Sequence, residues 1–238
     1  MTSAILHSIL ALLSALGSIA TYLYWRKTGF QKEVPKRFSW LFFFLFWYYF
    51  SYIFSFFVFR GNFSALAWGI IASVVFLFVG LAPMWKVILG LLNISLGKIN
   101  FIARVSLLIG LITILFLIID FRLPIIHESG FIIVNINFIS ALLIILAQDA
   151  LPLIWLFAIL KNWPKNTGLI EKLKATSLSF ACLLIIFSGV YFLARDYRLV
   201  IVGYSLVIMG IIFLTATFLI PKKKTVKISQ TIDINQPQ

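Results

Sequence analysis

The chain has 238 residues, of which 62% are hydrophobic and 11% are charged, and its formal net charge at pH 7 is +13. Because a soluble domain carries roughly 25% charged residues, this composition excludes a soluble globular protein and leaves no length for a separate soluble catalytic domain. One cysteine excludes an intrachain disulfide and a cysteine-based metal site.

Seven apolar runs follow one another along the chain, and each is long enough to cross a bilayer, which takes about 20 mostly apolar residues. In chain order they cover residues 3–25, 38–59, 64–84, 101–121, 138–160, 175–194 and 199–220. The pattern predicts an all-α integral membrane protein with a seven-helix transmembrane bundle over residues 1–220. We expect residues 221–238 to form a basic, disordered tail in the cytoplasm.

The distribution of positive charge predicts how these helices are oriented. Every lysine lies in one of four stretches, 26–37, 85–100, 161–174 and 221–238, which alternate with gaps that contain arginine but no lysine. Because Lys and Arg are retained on the cytoplasmic side of a membrane, the N-terminus is predicted to lie outside the cell and the C-terminus inside. The expected location is the cell membrane.

The net charge therefore indicates topology and lipid contact, and nucleic acid is not an expected partner. The basic side would face an anionic inner leaflet, which attracts each nearby Lys or Arg by about 1 kcal/mol. The residues predicted to contact lipid headgroups are Lys222, Lys223, Lys224 and Lys227. The oligomeric state does not follow from this pattern.

The second run is unusually rich in aromatic residues, among them Tyr48, Tyr49 and Tyr52. One interpretation is an aromatic ligand pocket that these three tyrosines face. The other is a helix whose rings pack against neighbouring helices and lipid. Aromatic residues cover too many faces of the run to define one pocket, so packing is the simpler interpretation and the pocket stays a hypothesis.

Pro83 closes the third run, and the residues after it admit two interpretations. Residues 85–97 either extend the third helix past a proline kink or form a short helix in the membrane interface. Pro83 is a predicted hinge in both cases, because proline lacks the backbone N–H that a helix interior requires.

The longest outer gap, 123–137, predicts a β-hairpin that covers the outer mouth of the bundle. Two isoleucine-containing stretches flank the turn residues His127-Glu128-Ser-Gly, which is the pattern of a strand, a turn and a second strand. Loops on a rigid scaffold often carry recognition, so His127 and Glu128 are candidate recognition residues. Two adjacent side chains are a weak metal pair, and a solvated turn is the simpler interpretation.

Asp149 lies well inside the fifth run. A charge at the bilayer centre costs about 2.5–3.5 kcal/mol on insertion scales, so an intramembrane acid is a candidate site. Gln148 precedes it, and Pro152, a second predicted hinge, leaves the Gln148 carbonyl without its helical donor. Three interpretations stay open: a proton or cation site, a contact with a polar group of a ligand, and a structural hydrogen bond to a neighbouring helix.

No cofactor and no enzymatic activity are expected. The last run, 199–220, contains no lysine that could form a Schiff base with retinal. The sequence offers no His, Asp and Glu cluster for a metal, no Ser–His pair on one helix face and no glycine-rich phosphate-binding loop. A single buried acid is also a poor general acid–base system.

Four features occur together: seven runs with an outward N-terminus, an aromatic second run, the motif Ala82-Pro-Met-Trp85 after the third run, and the hairpin segment 123–137. This combination resembles the seven-helix N-terminal sensor module of membrane histidine kinases and diguanylate cyclases. The resemblance covers residues 1–220, and we expect no kinase or cyclase domain after Ile220. It therefore implies a sensor that acts through a separate cytoplasmic or membrane signalling partner.

Three functions are compatible with these observations. The leading hypothesis is a receptor-like sensory membrane protein that binds a small ligand or senses the state of the membrane. The second is a small-solute or ion transporter, proton-coupled or not, with Gln148 and Asp149 at its binding site. The third is a structural or assembly subunit, bound laterally through small residues such as Gly17 and Gly210.

Overall fold

The computed structural model describes residues 2–27, 33–58, 62–127, 132–163, 168–189 and 196–219. Within these ranges the chain forms seven α-helices and one small sheet. The helices are α1 (Thr2–Lys27), α2 (Glu33–Val58), α3 (Phe63–Leu91), α4 (Leu96–Ile119), α5 (Phe138–Lys161), α6 (Leu169–Ser188) and α7 (Tyr197–Leu219). The strands are β1 (Ile125–Ile126) and β2 (Ile132–Ile133). The predicted tail, with Lys222, Lys223, Lys224 and Lys227, lies outside the described residues.

Six of the described helices are long and apolar enough to cross a membrane, which indicates a multi-pass membrane protein. The helix that is not among these six is α6. Its first two turns carry Glu171, Lys172 and Lys174, whereas the predicted sixth run began at residue 175. The later part of that run, from residue 190, lies outside the described residues, so α6 ends in the described structure before the run does.

Consecutive helices pack against each other, and α7 packs against α1, so the seven helices close into a ring. Helix α3 also packs against α5 across the ring. It is the most enclosed of the candidate spans. In its most apolar 18-residue stretch 61% of the residues are buried, compared with 28% in α4 and in α5. Other helices surround α3 on most sides, whereas broad surfaces of α4 and α5 face outward from the bundle.

Two asparagines cap the starts of α3 and α5. The Asn62 side chain accepts a hydrogen bond from the backbone N–H of Ala65 at 3.0 Å, and that of Asn137 accepts one from Ser140 at 2.7 Å. Capping side chains satisfy backbone donors that have no partner inside the helix. The starts of α3 and α5 are therefore encoded locally, next to long apolar runs.

The question of residues 85–97 has a clear answer in the structure. Helix α3 continues through Pro83 to Leu91, and a turn with Asn93 at a φ of 57° leads into α4 at Leu96. Most of the segment after Pro83 thus extends the third helix, and no separate interfacial helix forms. Asparagine is one of the few residues that adopt this left-handed conformation readily.

The predicted hairpin segment does form an antiparallel strand pair. Ile125 pairs with Ile133 and Ile126 pairs with Ile132. The residues that connect the two strands, among them Glu128, lie outside the described residues. Ile132 and Ile133 are buried, so β2 packs onto the helix bundle.

Close packing of α3 against α4 gives a first testable prediction. A Cβ atom at Gly110 would lie 2.5 Å from Cγ of Phe78, whose ring is buried and cannot move aside. We expect Gly110→Ala to lower the free energy of unfolding by about 1–3 kcal/mol, the usual cost of overpacking, in reversible unfolding in mixed micelles. Gly90→Ala is the matched control, because open space surrounds Gly90, and an equal loss in both variants would contradict the prediction.

Candidate functional site

A buried polar cluster joins three helices at the end of the bundle that carries the hairpin. His7 of α1 lies at its centre and is 5% exposed. Its Nδ1 lies 2.8 Å from the backbone oxygen of Ser3, and its Nε2 lies 3.1 Å from the hydroxyl of Tyr204 on α7. We call His7, Ser3, Tyr52 and Tyr204 the outer cluster. His7 and Tyr204 are not among the predicted site residues, because they bond to each other across 197 positions of the chain.

The partners of His7 determine which ring nitrogen carries the proton. A backbone oxygen only accepts, so Nδ1 must donate to Ser3. In a neutral imidazole Nε2 is then an acceptor, and the Tyr204 hydroxyl donates to it. The ring thus acts as a donor inside α1 and as an acceptor between α1 and α7.

Aromatic contacts connect the same histidine to α2. The ring of His7 is stacked on Tyr52 with a centroid distance of 3.7 Å and an interplanar angle of 12°. Tyr49 approaches edge-on at 6.0 Å. The predicted residue Tyr52 therefore belongs to the outer cluster, where it faces His7 and is 2% exposed.

The outer cluster also holds the sheet in place. The backbone N–H of Ile132 donates to Oγ of Ser3 at 2.9 Å, and Oγ of Ser3 lies 3.5 Å from the backbone oxygen of Ile132. Ser3 lies one helical turn before His7, so β2 is attached to the same turn of α1 that contacts α2 and α7. Through Ser3 and His7, β2 is thus connected by hydrogen bonds to the contacts between α1, α2 and α7.

Tyr48 lines two of the cavities in the described part of the bundle. The smaller has a volume of about 20 Å³, borders His7, Tyr52 and Tyr204, and has room for about one water molecule. The larger, which we call the central cavity, has a volume of about 80 Å³ and is lined by α2, α3, α5, α6 and α7. Tyr48 thus forms part of the wall of each.

The central cavity brings several predicted site residues together. Tyr48 and Tyr49 of α2 meet Gln148 and Pro152 of α5 on its wall. Most of its other lining residues are aliphatic, and none carries a charge. The hypothesis of a tyrosine-lined pocket therefore has a structural counterpart, although Tyr52 faces the outer cluster instead.

Asp149 is placed differently from Gln148, its neighbour in the chain. Gly189, at the end of α6, approaches it so closely that a Cβ atom there would lie 2.7 Å from Oδ2 of Asp149. Asp149 does not line the central cavity, and its buried Oδ1 has no hydrogen-bond partner in the part of the chain that the structure describes. Of the predicted acid and amide, only the amide therefore lines the central cavity, although both residues contact the C-terminal end of α6.

The two predicted hinge prolines lie inside helices, and His127 lies against the start of α7. Pro83 lies within α3 and Pro152 within α5, and both helices continue past them. The ring of His127 lies 4.6 Å from that of Tyr197, at the start of α7. Within the described ranges, no group of three His, Cys, Asp or Glu side chains lies close enough to hold a metal ion.

An exposed ion pair follows α4 near the hairpin. Arg122 donates from Nε and Nη2 to the two oxygens of Asp120, at 3.0 and 2.6 Å. These hydrogen bonds hold the pKa of Asp120 below its ordinary value and raise that of Arg122. The pair therefore stabilises this turn at neutral pH, and its contribution is lost as the pH falls through the lowered pKa of Asp120.

Comparison with known proteins finds no matching family model, no similar curated protein and no similar solved structure. The function of the chain is therefore inferred from the geometry of the outer cluster and the central cavity.

Proposed function

We propose that this chain is a receptor-like sensory membrane protein with seven spans, in which α6 crosses the membrane as the six more apolar helices do. The N-terminus lies outside the cell and the chain lacks catalytic activity. One observation carries the proposal: Tyr48 borders both the central cavity and the smaller cavity beside the outer cluster. A ligand at either place would thereby act on the same side chain.

The lysine distribution supports the orientation, because every lysine falls in gaps on one side of the predicted spans. That side would face anionic lipid and a cytoplasmic or membrane partner, as the resemblance to kinase and cyclase sensor modules implies. The sheet and the outer cluster would then face the exterior, where an external signal first reaches the protein.

A two-state change in helix packing is the mechanism that we propose. Displacement of β2 would weaken the bonds between Ser3 and Ile132 and shift the first turns of α1. The His7–Tyr204 bond would then be lengthened, and α1 would move relative to α7. Cores are densely packed, so such shifts lead to discrete alternative arrangements rather than continuous deformation.

Distance measurements between inner helix ends test this mechanism. Nitroxide labels would be attached to Val34→Cys on α2 and Leu173→Cys on α6 in a Cys182→Ala background, since Val34 and Leu173 are exposed. We expect Tyr204→Phe to change the ratio of two distance populations by about fivefold, because one hydrogen bond contributes about 1 kcal/mol.

Tyr22→Phe is the matched control, since Tyr22 lies on α1 with 45% of its surface exposed. Like Tyr204→Phe, this substitution removes one phenolic hydroxyl group, but it leaves the outer cluster unchanged. Identical distance distributions in folded Tyr204→Phe, Tyr22→Phe and the parent protein would contradict the proposed coupling.

A transporter is the second candidate, favoured by the buried Oδ1 of Asp149, which lacks a hydrogen-bond partner among the described residues. Proton-coupled flux into liposomes that disappears in Asp149→Asn would support it. Absence of flux across a broad panel of solutes would count against it. The uncharged wall of the central cavity gives an ion no compensating partner along that route.

An assembly subunit has less support. Gly17 is buried against Phe42, and Gly210 is buried against Ile185. These small residues bring helices of this chain together, so their faces are already occupied. Copurification of a stoichiometric membrane partner that binds a different face of the bundle would support this function.

A further inference from the structure

The size of the central cavity restricts what it can hold. Its volume of about 80 Å³ is roughly half that of an engineered apolar cavity of about 150 Å³ that binds benzene. A ligand that fits without large displacement of the walls therefore has about three to five non-hydrogen atoms.

The chemistry of the wall excludes a charged ligand. Polar groups on the wall belong to Tyr48, Tyr49, Gln148, Trp155 and Cys182, and none of the lining residues is Asp, Glu, Lys, Arg or His. An ion without a partner in such surroundings loses several kcal/mol of solvation.

The hydrogen bonds of Ser188 determine the orientation of the Gln148 amide. Oγ of Ser188 donates its proton to the backbone oxygen of Ile185 at 2.6 Å, so toward Gln148 it can only accept. The group of Gln148 that lies 3.2 Å from Oγ of Ser188 is therefore its NH₂ group. No described residue donates to the amide oxygen of Gln148, which remains an acceptor on a wall of the cavity.

From these observations we propose that the central cavity binds a short-chain alcohol or another equally small, neutral molecule with one hydrogen-bond donor. The hydroxyl group donates to the Gln148 amide oxygen, and the alkyl group packs against aliphatic residues such as Leu151 and Ile211. Such binding would supply the ligand for the proposed sensory function, and it is measurable independently of that function.

The test is a titration of the full chain in lipid nanodiscs, with 2-propanol and acetone as probes. The two molecules have the same number of non-hydrogen atoms, but acetone has no hydrogen-bond donor. Methyl resonances of isoleucine report binding: Ile185 and Ile211 line the cavity, whereas Ile212 is 48% exposed and reports partition into lipid.

We expect 2-propanol to shift the Ile185 and Ile211 resonances in a saturable way, whereas Ile212 responds to both probes without saturation. Acetone should bind the cavity at least fivefold more weakly. Gln148→Leu, which keeps the size of the side chain, should remove this preference, and Val207→Phe should remove saturable shifts by filling the cavity.

Equal saturable shifts with both probes, or a preference for 2-propanol that persists in Gln148→Leu, would overturn the assignment of the ligand. So would the absence of saturable shifts in the unmodified protein. None of these results depends on the spin-label response to Tyr204→Phe, so failure of the ligand assignment and failure of the sensory mechanism are distinguishable.

Discussion

Replacing His7 with leucine is expected to lower the free energy of unfolding by about 2–4 kcal/mol, the combined cost of a poorly filled buried site and lost hydrogen bonds. His7 makes contacts with three helices at once: it bonds to Ser3 in α1 and Tyr204 in α7 and stacks on Tyr52 in α2. Leucine has a similar volume but offers neither a ring nor an acceptor. Reversible unfolding in mixed micelles measures the loss.

A double-mutant cycle separates the hydrogen bond from the packing. Tyr204→Phe should cost less in the His7→Leu background than in the parent protein, by about 0.5–3 kcal/mol, because the histidine acceptor is already gone. Tyr22→Phe should show no coupling to His7→Leu, since Tyr22 faces outward on α1. Additive effects of His7→Leu and Tyr204→Phe would show that the bond between them contributes nothing.

Gly189→Val is expected to reduce stability by about 2–4 kcal/mol, through overpacking and loss of a neighbouring hydrogen bond. The new Cβ atom would lie 2.7 Å from Oδ2 and 3.1 Å from Oδ1 of Asp149. A change in the Asp149 side chain relieves part of this contact, and any movement of α6 away from α5 would also separate Gln148 from Ser188. Thermal unfolding in nanodiscs provides the measurement.

Shortening the opposing side chain should rescue the variant. Asp149→Ala in the Gly189→Val background is expected to restore about 1–3 kcal/mol, because the clash involves only the carboxylate. Gly97→Val serves as the control for a β-branched residue, since open space surrounds Gly97. If Asp149→Ala destabilises both backgrounds equally, the contact between Asp149 and Gly189 does not limit the packing of α5 and α6.

Much of the architecture was predictable from local features of the sequence. Apolar runs of sufficient length identify helices, and isoleucine-containing stretches around a turn identify the strands at 125–126 and 132–133. The start of α6 was the main difference, because Glu171, Lys172 and Lys174 interrupt the apolar pattern although the backbone is helical there. Hydropathy identifies the apolar part of a helix, whereas the helical backbone of α6 begins before that part.

The polar contacts were less predictable, for a geometric reason. Gln148 and Asp149 attracted attention because polar groups are costly within a membrane, but adjacent residues in a helix point about 100° apart. Gln148 consequently lines the central cavity and Asp149 does not, although both contact the C-terminal end of α6. His7 carries no comparable local signal, and its role depends on Tyr204, which lies 197 residues away in the chain.

The shared position of Tyr48 has a thermodynamic consequence. If occupancy of the central cavity alters how Tyr48 packs, then an antibody fragment that holds the hairpin in one conformation must change the affinity of the cavity. By linkage, the ligand must change the affinity of that antibody fragment by the same factor. Each binding event could therefore be read out by titrating the other.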